Sequence, residues 1–141
     1  MSDIKKVLDE TPFQTAGPFL HIGCLPNAIN IEGIFDTDLG VKPFANKDYD
    51  KFITITGSVF DGDGKALDDI MLESWQSDEN GVYSPECGFA RFVPDSLTKK
   101  FNLYTLKPGF MNNIDGKAQS PHILLSISVS YTHLTLPTKV R

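Results

Sequence analysis

Cysteine is scarce: Cys24 and Cys87 are the only two in 141 residues, so one disulfide is the most the chain can form. A disulfide-stapled scaffold is therefore excluded. Long apolar runs are missing as well, and the N-terminal MSDIKKVLDE lacks the apolar stretch of a secretory leader. These absences predict a soluble cytoplasmic protein with no membrane partner, its two thiols serving as small buried hydrophobes. Positive charge is in short supply: 13 Lys and Arg stand against 18 Asp and Glu, a net charge of −5. The basic residues are scattered, which argues against nucleic acid as a partner.

Recognisable chemistry is thin too. His21, His122 and His133 are the only histidines, and no two have the close spacing of a helical zinc motif. Neither a G-x-S-x-G elbow nor a phosphate-cradling glycine loop occurs. Asp61-Gly62-Asp63-Gly64 begins like a calcium loop, but Lys65 takes the next ligand position and no Glu closes it, so a plain turn is expected.

What is present is a strand grammar. The chain is 40% hydrophobic and 22% charged, the range of an ordinary single globular domain. From Phe52 to Phe60, Ile53, Ile55 and Val59 alternate with Thr54, Thr56 and Ser58. The Asp61–Gly64 turn then predicts a hairpin with a return strand at Ile70–Gln76, in which Trp75 is assigned to the core. Phe101–Leu106 and Ile123–Val129 are two further strands. Short strands separated by Gly and Asp turns indicate an all-β, antiparallel sandwich. Helix is limited to a turn or two within Asp3–Glu10; Thr11–Gly23 is expected to be extended and irregular, and residues 26–50 form a long connection.

Several words occur in a telling order. Glu10-Thr11-Pro12-Phe13-Gln14-Thr15-Ala16-Gly17-Pro18-Phe19 is followed by Thr56–Gly64, Glu73-Ser74-Trp75-Gln76, Asp78-Glu79-Asn80-Gly81-Val82-Tyr83, Lys107-Pro108-Gly109 and Ser120-Pro121-His122-Ile123. Together they resemble the protocatechuate 3,4-dioxygenase α-chain family, a branch of the intradiol ring-cleaving dioxygenases.

The resemblance implies an intradiol-type β-sandwich and a hetero-oligomer with a β chain that holds Fe(3+) through two tyrosines and two histidines. It also implies a small aromatic substrate, protocatechuate, opened by O2 in aromatic-compound catabolism. Carried onto this chain, the tyrosine positions fall on Tyr83 and Met111, and the histidine positions on His122 and Leu124. A thioether and an alkyl group do not replace a phenolate and an imidazole at a hard ferric ion. The expectation is that this chain holds no metal and no catalytic residue of its own. Its contribution is expected from Thr15, Ala16, Gly17 and Pro18, which line the pocket shared with the β chain.

The resemblance ends near residue 127; the family's next word, with its arginine, is replaced by Ser128 to Arg141. The expected organisation is an N-terminal arm over residues 1–25, a connection over 26–50, a partial sandwich core over 51–127 and a non-native tail over 128–141, leaving the sandwich incomplete at its C-terminus. A reading from another class is a stand-alone β-sandwich binding or structural module with no catalytic role.

Overall fold

The computed structural model describes residues 20–45, 51–112 and 116–129. Among the described residues a short helix, α1 (Leu20–Cys24), and a 3-10 turn (Asn27–Ile29) precede seven strands. The strands are β1 (Phe52–Gly57), β2 (Ile70–Gln76), β3 (Phe89–Phe92), β4 (Phe101–Leu106), β5 (Met111–Asn112), β6 (Ala118–Gln119) and β7 (Ile123–Val129). All pairing is antiparallel: β1 with β4, β3 with β2 with β7, and β5 with β6.

Period-two patterning decides which side of each strand is buried. In β4, Phe101, Leu103 and Thr105 are buried while Asn102 and Tyr104 are exposed. In β1, Ile53 and Ile55 are half-buried and Thr54 and Thr56 are exposed, with the Thr56 hydroxyl donating to Asn102 Oδ1 at 2.7 Å. Ile70 and Leu72 from β2 meet Phe101 from β4, flanked by Ile55, Phe92, Ile127 and Val129. Residues from both larger sheets thus share one core, as the sandwich expectation requires.

A buried amide also pins the sheets together. Gln76 Nε2 donates to the Leu106 carbonyl at 2.8 Å, and the Thr105 hydroxyl donates to Gln76 Oε1 at 2.8 Å. Gln76 is 1% exposed and Thr105 0%, so both ends of this polar bridge are sealed from water and satisfied by each other.

Several expectations need correcting. The Asp61–Gly64 turn exists, with Asp61 Oδ1 accepting the Asp63 and Lys65 amides at 3.0 and 2.8 Å. Its hairpin is only the Phe60–Ala66 bridge, however, because β1 and β2 belong to different sheets. A turn with positive-φ residues sets local reversal; the partner of each strand is set by which faces share the core. Over residues 20–23 helix α1 replaces the irregular path expected there, residues 11–19 of that segment lying outside the described residues, and β3 is an additional strand. Cys24 and Cys87 are free and half-buried rather than fully buried.

The long connection is folded against the sandwich over residues 26–45. The buried Asp38 carboxylate accepts the amides of Asn27 and Ala28 at 3.2 and 3.0 Å, closing the 3-10 turn. The Gly40 and Pro43 carbonyls accept the Arg91 and Gly88 amides at 3.2 and 2.8 Å, and Phe44 is buried. At the other end, β7 runs through Ser128 and Val129, opposite Met71 and Ile70. Strand pairing uses backbone groups, so it continues two residues beyond the last recognisable family word. The remainder of the expected tail, 130–141, and the expected Asp3–Glu10 helix lie outside the described residues.

Candidate functional site

The word Asp78–Tyr83 is a turn built by its first residue. Asp78 Oδ1 accepts the amides of Asn80 and Val82 at 2.9 and 3.0 Å, and the Gly81 amide donates to the Asp78 carbonyl at 3.1 Å. Lys107–Gly109 docks directly against it, the Gly109 amide donating to the Asp78 carbonyl at 2.8 Å. Glycine is needed on both sides of this contact. A Cβ on Gly81, whose φ is +79°, would lie 1.8 Å from the Phe110 carbonyl oxygen, and one on Gly109 would lie 2.3 Å from the Glu79 carbonyl oxygen. Two words of the resemblance, far apart in sequence, are thereby locked together.

This joint holds Tyr83 in front of His122, with Oη 3.3 Å from Nε2. His122 Nδ1 lies 2.8 Å from the Ser120 carbonyl oxygen, which can only accept, so Nδ1 carries the proton. In the neutral ring Nε2 is then the acceptor, and the Tyr83 hydroxyl donates to it. Partial burial raises the Tyr83 phenol above its ordinary pKa, which favours this neutral donor form. The Tyr83 ring also stacks on Trp75, with centroids 5.9 Å apart and planes 24° apart.

Trp75 is not in the core, contrary to the assignment made above. In β2 it shares its parity with Met71 and Glu73, and it stands opposite Leu124 in β7 on the face turned away from β1 and β4. Glu73 on that face binds Arg91 of β3, with Arg91 Nη2 to Glu73 Oε1 at 2.6 Å. The parity was hard to read because the inner face of β2 carries Ser74 and Gln76 between its apolar residues. A charged Glu73 two residues from Trp75 was the available signal.

Of the other three positions carried over from the resemblance, His122 touches Tyr83, Leu124 stands beside its stacking partner and Met111 lies against the turn that precedes it. The Met111 Cα would lie 3.2 Å from a Cβ on Gly81. Nearby in sequence are exposed apolar groups, Val82 at 57%, Leu124 at 42% and Phe110 at 71% exposure. The donor set does not fit ferric iron. Its phenol and imidazole satisfy each other, and the remaining two positions offer a thioether and a hydrocarbon. Among the described residues no three His, Cys, Asp or Glu side chains gather as a metal-binding group. Thr15, Ala16, Gly17 and Pro18 lie outside the described residues. No described helix is long and apolar enough to cross a membrane.

The fold is that of the intradiol dioxygenases. The chain superposes on 3-chlorocatechol 1,2-dioxygenase from Rhodococcus opacus with a TM-score of 0.62 at 19% identity, covering 72% of this chain and 47% of that one. On a dioxygenase domain from Streptomyces sp. SirexAA-E the TM-score is 0.60 at 20% identity, covering 94% and 74%. No family model matches the sequence. The chain is 35% identical to the protocatechuate 3,4-dioxygenase α chain of Pseudomonas putida, over 96% of this chain and 70% of that protein. It is 30% identical to the α chain of Burkholderia cepacia, over 85% of this chain and 63% of that protein. The chain belongs to the protocatechuate 3,4-dioxygenase α-chain family.

Proposed function

We propose that this chain serves as the α subunit of a protocatechuate 3,4-dioxygenase in the cytoplasm, supporting intradiol cleavage while the ferric iron is held by a β-chain partner. The overall reaction places both atoms of O2 between the two hydroxyl-bearing carbons of protocatechuate, giving 3-carboxy-cis,cis-muconate. One observation carries the division of labour: a chain 35% identical to an α chain keeps the intradiol fold but pairs Tyr83 with His122 and offers Met111 and Leu124 at the other two positions. The fold is retained without the donor set.

The part assigned to this chain is to complete the substrate pocket of its partner. Thr15 supplies a hydroxyl that can donate or accept, Gly17 lets backbone approach a flat ring closely, and Pro18 stiffens the wall. The same segment would exclude water from the ring during cleavage.

Co-production with a family β chain tests the proposal. The expected results are co-purification, iron in the β chain alone, and oxygen uptake with protocatechuate that requires both chains. Gly17→Val is expected to raise KM for protocatechuate without loosening assembly. Iron, visible colour and turnover in the chain produced alone would overturn the proposal. Failure to associate with any family β chain would leave the stand-alone module as the better reading.

A further inference from the structure

Leu97 is 90% exposed in the turn between β3 and β4. The turn is built to hold it there. Asp95 Oδ1 accepts the Leu97 and Thr98 amides at 3.1 and 2.7 Å and the Thr98 hydroxyl at 2.9 Å, and the Asp95 amide donates to the Lys100 carbonyl at 2.9 Å. Lys99, at a φ of +56°, pairs with Asp68 and ties the turn to the segment before β2. An apolar side chain carried on a turn already fixed in shape gives up little freedom on entering a partner's pocket and leaves unfavourable contact with water. The same chain carries a pocket of matching chemistry. Beside Pro108 and Pro121 the two sheets part around a cavity of about 250 Å³, walled by Ile55, Leu103, Ile123 and Leu125. Ile55, Ile123 and Leu125 are each half-buried, as suits a cavity reached from solvent.

We propose that Leu97 of one copy of this chain inserts into the cavity of a second copy. Size permits it, since an apolar cavity of roughly 150 Å³ already accepts benzene, which is larger than a leucine side chain. Strand β4 makes the contact intermolecular: its six residues span about 20 Å between the Leu97 turn at one end and the cavity mouth at Lys107 and Pro108 at the other, so Leu97 cannot reach the cavity of its own chain. Phe110, 71% exposed and two residues beyond Pro108, adds apolar cover near the mouth. The two surfaces differ, so the contact is head-to-tail and continues from copy to copy unless the rotation closes a ring. None of this depends on assembly with a β chain.

Sedimentation velocity of the full-length chain tests this. A contact made by one anchoring side chain and its rim is small, so reversible association with Kd on the order of 100 μM is expected, seen as a sedimentation coefficient that rises with concentration. Leu97 is exposed, so Leu97→Asp leaves the denaturation midpoint unchanged, and it is expected to weaken association at least about tenfold. Ile55→Trp fills the cavity from a half-buried position and is expected to do the same; Leu125→Phe is the second cavity-filling variant, used if Ile55→Trp lowers the denaturation midpoint. Leu97→Asp keeps the cavity and the cavity-filling variant keeps the leucine, so mixing the two is expected to restore association but to stop it at two chains. Monomers at every concentration, association unaffected by Leu97→Asp, or a mixture that stays monomeric would each overturn the proposal. So would a Leu97 required only for co-purification with a family β chain, which would assign the side chain to a different partner.

Discussion

The two faces of the β3–β2–β7 sheet have been put to different uses. On the inner face, Ile70, Leu72 and Gln76 are fully buried, and the one polar side chain among them is satisfied across the sandwich by Thr105 and Leu106. On the outer face, Trp75, Tyr83 and Leu124 are half-buried or exposed, and their single hydrogen bond to His122 is long at 3.3 Å. Both faces are carried by the same strands, on alternate residues. On the proposed reading of Tyr83, His122 and Leu124, the groups of one face can change while the other continues to specify the sandwich. Along β2 the inner groups Ile70, Leu72 and Gln76 tolerate little change because they are desolvated and packed; the outer face is more permissive around Trp75 and Leu124, where solvent reaches the side chains.

That contrast breaks most severely where the turns meet. Gly81→Ala forces a Cβ into the Phe110 carbonyl and a non-glycine residue into φ of +79°, so a loss of about 3–5 kcal/mol in chemical denaturation is expected, or failure to fold. A loss below about 1 kcal/mol would mean the Asp78–Tyr83 turn is free to move away from Lys107–Gly109. Next in size is Gln76→Leu, which strands the Thr105 hydroxyl and the Leu106 carbonyl in the dry interior. The expected loss is about 2–4 kcal/mol, measured against Gln76→Glu to separate shape from hydrogen bonding.

Most of this fold was legible because alternation reports burial directly: β2, β4 and β7 occupy the very spans expected, Ile70–Gln76, Phe101–Leu106 and Ile123–Val129. Strand partnership was not legible. The Asp61–Gly64 turn suggests that β1 and β2 pair, but β1 joins β4, as the bond between Thr56 and Asn102, 46 positions apart, shows. Local turn chemistry carries no information about which sheet receives the next strand. β3 was missed because Phe89-Ala90-Arg91-Phe92 is only four residues long, with an arginine facing Glu73. At the site, Tyr83 and His122 were found through family words, whereas the Trp75 stack needed the strand's parity, which Ser74 and Gln76 disguised.

Tyr83→Phe measures the outer face on the same scale. It removes the phenol that donates to His122 but keeps the ring on Trp75, so the expected loss is about 0.5–1 kcal/mol, with the fluorescence of the sole tryptophan nearly unchanged. A loss equal to that of Gln76→Leu would erase the distinction between the faces and make the Tyr83–His122 pair a principal element of stability.

The smallest expected effect has the opposite sign and lies on the inner face itself. Ser74 is 2% exposed and, among the described residues, its hydroxyl has no hydrogen-bond partner, in a position opposite Leu125 of β7 and Ala90 of β3. An unpartnered buried hydroxyl opposes folding, and removing it leaves a methyl group among apolar neighbours with little change of volume. Ser74→Ala is therefore expected to stabilise the chain by about 0.5–1 kcal/mol, seen as a higher denaturation midpoint with an unchanged slope. Destabilisation instead would show that the Ser74 hydroxyl is satisfied in solution, by a water held between the sheets. The inner face would then be wetter than its packing implies, and the cavity between Leu103 and Leu125 would be the place from which that water enters.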